Sequence, residues 1–291
     1  MDWSKRRHRF RDLLAGGECV TPATVFDPLS ARMIEDLGGQ VGMLAGSVAA
    51  MAILGAPDRM LITASEFSDM AYRICRAADL AVIADADHGY GNAMNVQRTV
   101  RDLDHAGLAA ITIEDTNLPH PYGTSGASLL PIDEAVGKMK AAVSGRDDPN
   151  LVILARTSAA TISGHDDCMA RIKAYEKTGV DGITLIGMPS VDDLHSLCSA
   201  TSLPLMLGGL SSLGNKMPDN SALAALGARI CLRGHQPYMA ALAATYQSLQ
   251  SVLGLCDPAD APDGIAADLL RQLTRDEVYH ADAAEFLDSK G

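Results

Sequence analysis

Eight short apolar runs recur along the chain, rich in Val, Ile, Leu and Ala, and each ends near a glycine or a polar residue. Each run is continuously apolar and does not alternate with polar positions, which is typical of parallel strands covered on both faces. The pattern therefore predicts eight parallel strands. They are residues 18–21, 40–46, 80–87, 109–115, 151–157, 181–187, 203–209 and 228–234.

The segments between these runs carry helix signals. In the segment FDPLSARMIEDLGG, Asp27 is a good N-cap, Pro28 suits the first helical position and Gly38 suits the end. Strand and helix alternate throughout, and no linker rich in Pro or Gly divides the chain. This alternation favours an α/β fold of one (β/α)8 TIM-type barrel. An open doubly wound sheet is the alternative, although its GxGxxG turn after the first strand is missing.

The chain continues after the eighth run. A periodic apolar segment predicts a helix from about Pro237 to Leu253, and the stretch GLCDPADAPDG separates it from a helical segment that begins near Ile265. We expect residues 1–291 to form a single α/β-barrel domain. The barrel would occupy about 10–250 and a helical C-terminal extension about 251–291. This extension exceeds what a barrel needs, so we expect it to pack on a neighbouring subunit.

Charge and cysteine content narrow the class of protein. The 291 residues include 24 Lys and Arg against 36 Asp and Glu, a formal charge of −12, so no positive surplus attracts nucleic acid or anionic membranes. The six cysteines are scattered without a CxxC pair, which is typical of reduced thiols in a cytoplasmic protein. No apolar segment approaches the roughly 20 residues needed to span a bilayer. We expect a soluble cytoplasmic protein with a small-molecule partner, no nucleic acid and no membrane.

Acidic residues gather at the ends of neighbouring predicted strands. They are Asp85 and Asp87 after the third strand, Glu114 after the fourth, and Asp58 in the loop GAPDRM after the second. In a parallel barrel such positions meet at the face where active sites lie. Oxygen ligands suit Mg²⁺ or Mn²⁺ and not zinc, so we predict Asp85 as a direct ligand, with the other three acids holding the water ligands. A solvated turn is the alternative for the Asp-x-Asp pair.

Four further candidate residues lie near the same strand ends. Arg156 ends the fifth run, and its planar guanidinium matches a substrate carboxylate, with pairing to a structural acid as the alternative. Gly46 and Ser47 follow the second run and could offer backbone N–H groups to an oxyanion, because glycine allows close approach. His235 follows the eighth run and is either a structural or a catalytic histidine.

Three stretches carry a resemblance to a known family: TPATVFDPLSARMIEDLGG, VIADADHGYGNAMNVQRTVRDLDHAGLAAITIEDT, and ILARTSA followed by RIKAYEKTGVDGI. They resemble the phosphoenolpyruvate mutase/isocitrate lyase superfamily. The resemblance implies an α/β barrel whose eighth helix is swapped between the subunits of a dimer, with dimers pairing into a homotetramer. It also implies a Mg²⁺-dependent site that binds small α-oxo or α-hydroxy carboxylates and works through a pyruvate enolate.

The resemblance also assigns roles to residues of this chain. It implies that Asp85 binds the metal with support from Asp58, Asp87 and Glu114. It implies that Arg156 binds the substrate carboxylate, and that Gly46 and Ser47 contact an oxyanion. Isocitrate and methylisocitrate lyases carry a cysteine-containing lid after the fourth strand, whereas the corresponding EDTNLPHPYGTSGAS contains no cysteine.

The shortened lid, together with GSVA around Ser47 and GH at His235, resembles the branch of the superfamily that decarboxylates oxaloacetate. In that branch the residues matching Ser47, Arg156 and His235 contact the substrate. The expected reaction is Mg²⁺-dependent conversion of oxaloacetate, a small α-keto dicarboxylate, to pyruvate and CO₂. Two alternatives are other activities of the superfamily, a methylisocitrate-type C–C lyase and an oxaloacetate hydrolase. A third is a non-catalytic barrel that binds a dicarboxylate.

Overall fold

The computed structural model describes residues 2–123, 126–257, 264–265, 267–278, 281 and 285. The chain divides into two compact units, Met1–His235 and Gln236–Gly291. The first unit contains the sheet, and the described part of the second is helical or turn-like. The expectation of one domain over residues 1–291 stays a prediction.

The first unit is built on a parallel sheet with eight strands in the described residues, so the predicted (β/α)8 barrel is confirmed. The strands are β1 Ala23–Thr24, β2 Val41–Leu44, β3 Ala81–Asp85, β4 Ala110–Glu114, β5 Val152–Thr157, β6 Gly182–Ile186, β7 Leu205–Gly208 and β8 Ala228–Cys231. Each strand pairs with the next along the chain, and a parallel bridge between Val20 and Ile230 closes the barrel. This sequential order excludes the doubly wound sheet, in which the strand order reverses.

Helices connect the strands, and the predicted start of the second helix is confirmed. Asp27 caps it: Ser30 N donates to Asp27 Oδ1 at 2.6 Å, and Asp27 N donates to Ser30 Oγ at 3.0 Å. Short 3₁₀ helices span Glu176–Thr178 and Leu210–Lys216. The α-helices of this unit are α1 Ser4–Ala15, α2 Pro28–Asp36, α3 Gly46–Leu54, α4 Ala64–Cys75, α5 Ala93–Ala106, α6 Ile132–Gly145, α7 Ala159–Ile162, α8 His165–Tyr175, α9 Val191–Cys198 and α10 Asn220–Ala225.

The first strand differs from its prediction. The apolar pattern places it at residues 18–21, whereas β1 begins only at Ala23. Pro22 explains the shift, because it has no backbone N–H to donate to a neighbouring strand. Val20, on the other side of this proline, makes two backbone hydrogen bonds of 2.9 Å with β8. The predicted run therefore closes the barrel and does not pair with β2.

The packing inside the barrel determines where charged side chains can lie along the strands. Residues two apart along a strand point to the same side of a sheet. Ile83 and Leu154 belong to the apolar core inside the barrel, which also contains Phe10 of α1. The next inward positions on β3 and β5 are Asp85 and Arg156. Charged side chains therefore begin one step beyond an apolar layer, at the carboxyl ends of the strands.

The second unit contains α11 Gln236–Val252 and α12 Ala267–Thr274. The helix predicted from about Pro237 to Leu253 is confirmed as α11. This helix exposes large apolar side chains at Met239, Leu242, Tyr246 and Leu249. Much of the predicted extension at 251–291 lies outside the described residues, and the swapped helix stays a prediction. No helix in the described parts of the chain is long and apolar enough to cross a membrane.

Candidate active site

A cavity of about 690 Å³ opens at the carboxyl ends of the strands. Most of the predicted site residues line this cavity: Ser47, Asp58, Asp85, Asp87, Glu114, Arg156 and His235. Gly46 lies directly behind one of them, since a Cβ added at this glycine would overlap the carboxylate of Asp87. The structure therefore brings all of the residues predicted from the sequence together.

Asp85, the predicted direct metal ligand, is the last residue of β3 and is held by the two following strands. Thr112 of β4 donates from Oγ1 to Asp85 Oδ1 at 3.0 Å. Arg156 of β5 binds the other oxygen, Oδ2. The Asp85 side chain remains 18% exposed, so a ligand in the cavity can reach it. Its orientation is thus set by the barrel itself.

Asp87 lies in the turn after β3, where its backbone is left-handed with φ +48°. Aspartate tolerates this conformation better than most residues. The residue is 4% exposed, and its Oδ2 has no hydrogen-bond partner among the described residues. Burial, and after it the negative charge of Asp85, raises the pKa of Asp87 well above its usual range. A buried carboxylate with an unsatisfied oxygen is well suited to bind a cation or a water held by one.

Glu114 and Asp115, at the end of β4, face opposite sides, as neighbours on a strand do. Glu114 lines the cavity, and burial raises its pKa despite the positive charge of Arg156. Asp115 faces the outer helices, where Tyr175 and Arg171 donate to its Oδ2 at 2.5 Å and 3.0 Å. Glu114 therefore belongs to the site, and Asp115 to the packing behind it.

Arg156 lies between two of the acids. It binds Asp85 through Nη1, and its Nη2 lies 3.2 Å from Glu114 Oε2. Burial alone would lower the pKa of Arg156, but these two carboxylates outweigh it and the pKa is raised. Its Nε is buried and has no hydrogen-bond partner in the part of the chain that the structure describes. The guanidinium of Arg156 is thus held in the site by two carboxylates. Its predicted contact with a substrate carboxylate stays a prediction.

Asp58 reaches the cavity from the loop between α3 and α4. Partial burial, and after it the charge of Asp85, raises the pKa of Asp58. The pKa values of Asp87 and Glu114 are raised as well. Burial is the main cause of the raised pKa at all three acids, and the negative charge of Asp85 adds to it.

Gly46 and Ser47 form the first turn of α3, and β2 ends earlier than predicted, at Leu44. Amides in the first turn of a helix have no partner within the helix, so these N–H groups are available to an anion. Because the Gly46 Cα faces the carboxylate of Asp87, the position has no room for a side chain. The predicted oxyanion contact stays a prediction.

His235 is held between two hydroxyl groups. Thr24 Oγ1 lies 3.3 Å from its Nδ1, and Ser47 Oγ lies 3.5 Å from its Nε2. Burial lowers the pKa of His235 despite the nearby charges of Asp85 and Asp58. The imidazole is therefore neutral at pH 7 and can act as an acceptor.

Sequence reasoning missed three residues of this cavity region. Thr112 carried a signal, because it is the polar residue two positions before Glu114 on an otherwise apolar strand. His120 lines the cavity from the loop after β4, next to Leu118 and Pro119, and carried no signal beyond its residue type. The third, a threonine of β1, contacts His235 across the closure of the barrel, which no local pattern reveals.

The loop after β4, the predicted shortened lid, is pinned at its base. Thr116 and Leu129 form an antiparallel bridge, and Asn117 N donates to the carbonyl of Ser128 at 2.8 Å. Residues 124–125 of this loop lie outside the described residues. The position at which isocitrate lyases carry their lid cysteine is thus occupied by a loop without cysteine.

Comparison with known proteins gives the family. Residues 10–253 match the phosphoenolpyruvate phosphomutase family. The chain therefore belongs to this family, within the phosphoenolpyruvate mutase/isocitrate lyase superfamily. A Bradyrhizobium protein named oxaloacetate decarboxylase is 45% identical over 276 residues, which cover 95% of this chain and 95% of that protein. A Marinomonas protein of the same name is 48% identical over 251 residues, 86% of each chain.

Solved structures support the same fold. Phosphonopyruvate hydrolase in complex with oxalate and Mg²⁺ has a TM-score of 0.84 and 25% identity, covering 97% of this chain and 99% of that one. Oxaloacetate acetylhydrolase in complex with the inhibitor 3,3-difluorooxalacetate has a TM-score of 0.84 and 27% identity, covering 96% and 97%. The predicted superfamily and its barrel are confirmed.

Proposed function

We propose that the protein is a divalent-metal-dependent oxaloacetate decarboxylase, a carboxy-lyase that converts oxaloacetate to pyruvate and CO₂. The observation that carries this proposal is similarity to relatives of that name, at 43–48% identity and over up to the full length of the chain. The site supports it, because carboxylates, an arginine and a neutral histidine face one cavity of about 690 Å³, ample for a four-carbon diacid.

The acids of the site fit a divalent cation, with Mg²⁺ as the first choice and Mn²⁺ as an alternative. Asp85 would bind it directly, and Asp58, Asp87 and Glu114 would hold its water ligands. The unsatisfied Oδ2 of Asp87 supports this assignment. Among the described residues no group of three or more His, Cys, Asp or Glu forms a ready cage. Mg²⁺ does not need one, because it typically uses one or two carboxylates and keeps several waters.

Decarboxylation breaks the C3–C4 bond of oxaloacetate, and the electron pair moves to the C2 carbonyl oxygen as an enolate forms. A bound divalent cation supplies Lewis-acid stabilisation for that charge. The first-turn N–H groups of Gly46 and Ser47 would share it. Arg156 would orient a carboxylate, and the apolar walls at Leu118 and Leu232 would limit access of water. A proton at C3 then completes pyruvate.

A hydrolase is the second candidate, because the fold matches solved oxaloacetate acetylhydrolase closely. Hydrolysis would cleave the C2–C3 bond and yield oxalate and acetate, whereas decarboxylation yields pyruvate and CO₂. A methylisocitrate-type lyase is disfavoured by the loop after β4, which has no cysteine to act as an acid. A non-catalytic dicarboxylate sensor would bind its ligand and form no product.

The test uses the purified full-length protein with Mg²⁺ and oxaloacetate, with pyruvate coupled to lactate dehydrogenase. Because Mg²⁺ itself promotes slow oxaloacetate decay, the blank is the same mixture without the protein. Carbon-13 NMR of labelled oxaloacetate then identifies the products. Pyruvate and CO₂ at a rate well above the blank support the proposal. Oxalate and acetate would reassign the protein as a hydrolase, and calorimetric binding without turnover would make it a sensor.

We also propose that the protein is a cytoplasmic homotetramer, a dimer of dimers that binds neither nucleic acid nor membrane. The exposed apolar side chains along α11 support association, because contiguous apolar surface of this kind is typical of an interface. Sedimentation equilibrium of the full-length protein measures the assembly directly. A monomer at micromolar concentration would contradict the proposal.

A further inference from the structure

The contacts around His235 form a chain of three hydrogen-bonding groups where β1 meets β8. Thr24 Oγ1, on a residue that is 2% exposed, lies 3.2 Å from the carbonyl oxygen of Gly234 and 3.3 Å from His235 Nδ1. At the other edge of the ring, Ser47 Oγ lies 3.5 Å from Nε2. Buried hydroxyl groups are costly to leave unpaired, so the arrangement of their protons matters.

The two neutral tautomers of His235 differ in how many of these contacts can be hydrogen bonds. A carbonyl oxygen only accepts, and the Thr24 hydroxyl has one proton, which it can donate to Gly234. The Thr24 oxygen then accepts a proton from Nδ1–H, and Nε2 accepts one from the Ser47 hydroxyl. This arrangement satisfies all three contacts. In the other tautomer Nδ1 needs the Thr24 proton for itself, so the hydrogen bond from Thr24 to the Gly234 carbonyl is lost.

We propose that Thr24 is a positioning residue that holds His235 with its proton on Nδ1, so that Nε2 has no proton to donate to the substrate. The inference deepens the proposed decarboxylase and rests on it for its kinetic part. An acceptor at Nε2 can receive a hydrogen bond from a hydroxyl group or a water molecule, but it gives none to a carboxylate. His235 therefore does not stabilise the carboxylate of bound oxaloacetate, which favours its release as neutral CO₂.

The tautomer is measured directly by long-range ¹⁵N–¹H NMR of the metal-free full-length protein. The His235 signals are assigned with the His235→Gln variant. His165 is an internal reference, because its Nδ1 lies 2.8 Å from the carboxylate of Asp193, which can only accept. We expect both rings to carry the proton on Nδ1. A proton on Nε2 of His235 would overturn the inference, whatever the enzyme's activity.

Kinetics test the role of the hydroxyl. Thr24→Val keeps the shape and removes both hydrogen bonds of the hydroxyl. Loss of the one to His235, worth about 1 kcal/mol, should lower kcat about fivefold while KM does not rise. The Thr24→Ser variant should restore both kcat and the tautomer. Thr178→Val is the matched control, because the Thr178 hydroxyl also donates to a carbonyl, that of Tyr175 at 2.6 Å.

The outcomes are distinguishable from those for the proposed function. If the Thr24→Val protein loses activity while its His235 tautomer is unchanged, or if its KM rises at unchanged kcat because substrate binding alone is lost, Thr24 is not a positioning residue. If the unmodified protein makes no pyruvate but shows the Nδ1–H tautomer, the decarboxylase proposal fails. In that case the tautomer assignment stands.

Discussion

Two buried arginine–carboxylate clusters lie at opposite ends of the barrel, and their hydrogen bonding differs. At the amino ends of the strands, Arg7 is 2% exposed, and its Nη1 lies 2.8 Å and 2.7 Å from carboxylate oxygens of Asp104 and Asp148. Its Nε donates to the carbonyl of Leu108 at 2.9 Å, and its Nη2 donates to the carbonyl of Asp104 at 2.6 Å. Every nitrogen of the Arg7 guanidinium therefore has a partner.

The cluster at the carboxyl ends is less complete. Arg156 Nε and Asp87 Oδ2 are buried, and neither has a hydrogen-bond partner within the described ranges. The pKa of Asp87 is raised by burial and by Asp85. Burial would also raise the pKa of Asp148, but its hydrogen bonds from Arg7 and Asn150 outweigh this and lower it. An unsatisfied buried group costs about 1–3 kcal/mol, so the second cluster lowers stability by an amount that a bound cation or substrate would offset.

The largest effect is expected from removing Asp85, the predicted direct ligand of the divalent cation. Asp85→Ala should lower kcat/KM for oxaloacetate by at least about 10³-fold, because the Lewis acid contributes several kcal/mol to the transition state. The fold should persist, as measured by circular dichroism and thermal unfolding. Asp69→Ala is the matched control, an exposed acid on α4 paired with Arg73, and it should leave the rate unchanged. A fully active Asp85→Ala protein would remove the metal site from the proposal.

Exchanging each arginine for methionine contrasts the two clusters directly. Arg156→Met should reduce kcat/KM by about 10²–10³-fold, since it removes a positioned donor. It should also lower the free energy of unfolding, because it leaves the carboxylates of Asp85 and Glu114 without their charge partner. Arg7→Met leaves two carboxylates of the amino-end cluster unpaired and should lower the free energy of unfolding by about 3–5 kcal/mol. The kcat of the Arg7→Met molecules that remain folded should be unchanged. Chemical unfolding and active-site titration measure the two effects, and an equal loss of kcat per folded molecule in the two variants would contradict the distinction.

The sequence predicts those features of the site that depend on local pattern, and it does not predict contacts between residues that are far apart along the chain. The positions of Asp85, Glu114 and Arg156 were predictable, because apolar strands end in them and parallel strands align their ends. Their pairing into one ion cluster was not, since contacts between strands depend on register. The turn at Asp87 was equally hidden, because its left-handed backbone depends on the carboxylate fitting against α3.

Local signals do not decide between two candidates that lie close together. Asn92 and Asn95 both suit the start of α5 by residue type, but Asn92 is the N-cap, and its side chain accepts from the amides of Met94 and Asn95 at 2.9 Å and 3.4 Å. Both residues favour caps, and only the packing of the helix selects one. Contacts across the closure of the barrel, such as Thr24 with His235, join residues too distant in sequence for any pattern to reveal.

The close approach of Gly46 to Asp87 allows a steric test of the cluster at the carboxyl ends of the strands. Gly46→Ala places a Cβ against the Asp87 carboxylate and must displace it. A shift of about 1 Å in a site can cost about 10²-fold in rate, so we expect a loss of kcat/KM of that order. Gly137→Ala on α6 is the matched control, because nothing lies within 4 Å of its added Cβ. It should keep full activity, and equal effects of the two alanines would exclude the steric explanation.

The smallest expected effect is also the most specific, because the two clusters should respond to pH with opposite signs. The folded pKa of Asp148 is lowered from the ordinary 3.8, so it adds stability at neutral pH that is lost as the pH falls through its folded pKa. The pKa of Asp87 in the folded protein is raised from 3.8. Its ionisation therefore lowers the free energy of unfolding progressively as the pH rises from 3.8 to the folded pKa, and the full loss remains above that pH.

Replacing each aspartate by asparagine in the metal-free protein measures whether its carboxylate raises or lowers the free energy of unfolding. At pH 7, Asp148→Asn should lower the free energy of unfolding, and Asp87→Asn should raise it, each by about 1.4 kcal/mol per unit of pKa shift. Urea unfolding in EDTA at pH 7, and again near the ordinary pKa of aspartate, measures both. Adding Mg²⁺ should reduce or reverse the gain in Asp87→Asn, since a cation that binds only the folded state stabilises the unmodified protein more. Changes of the same sign at both positions would mean that burial and the charge of Asp85 do not raise the pKa of Asp87, and the contrast between the two ends of the barrel would then fail.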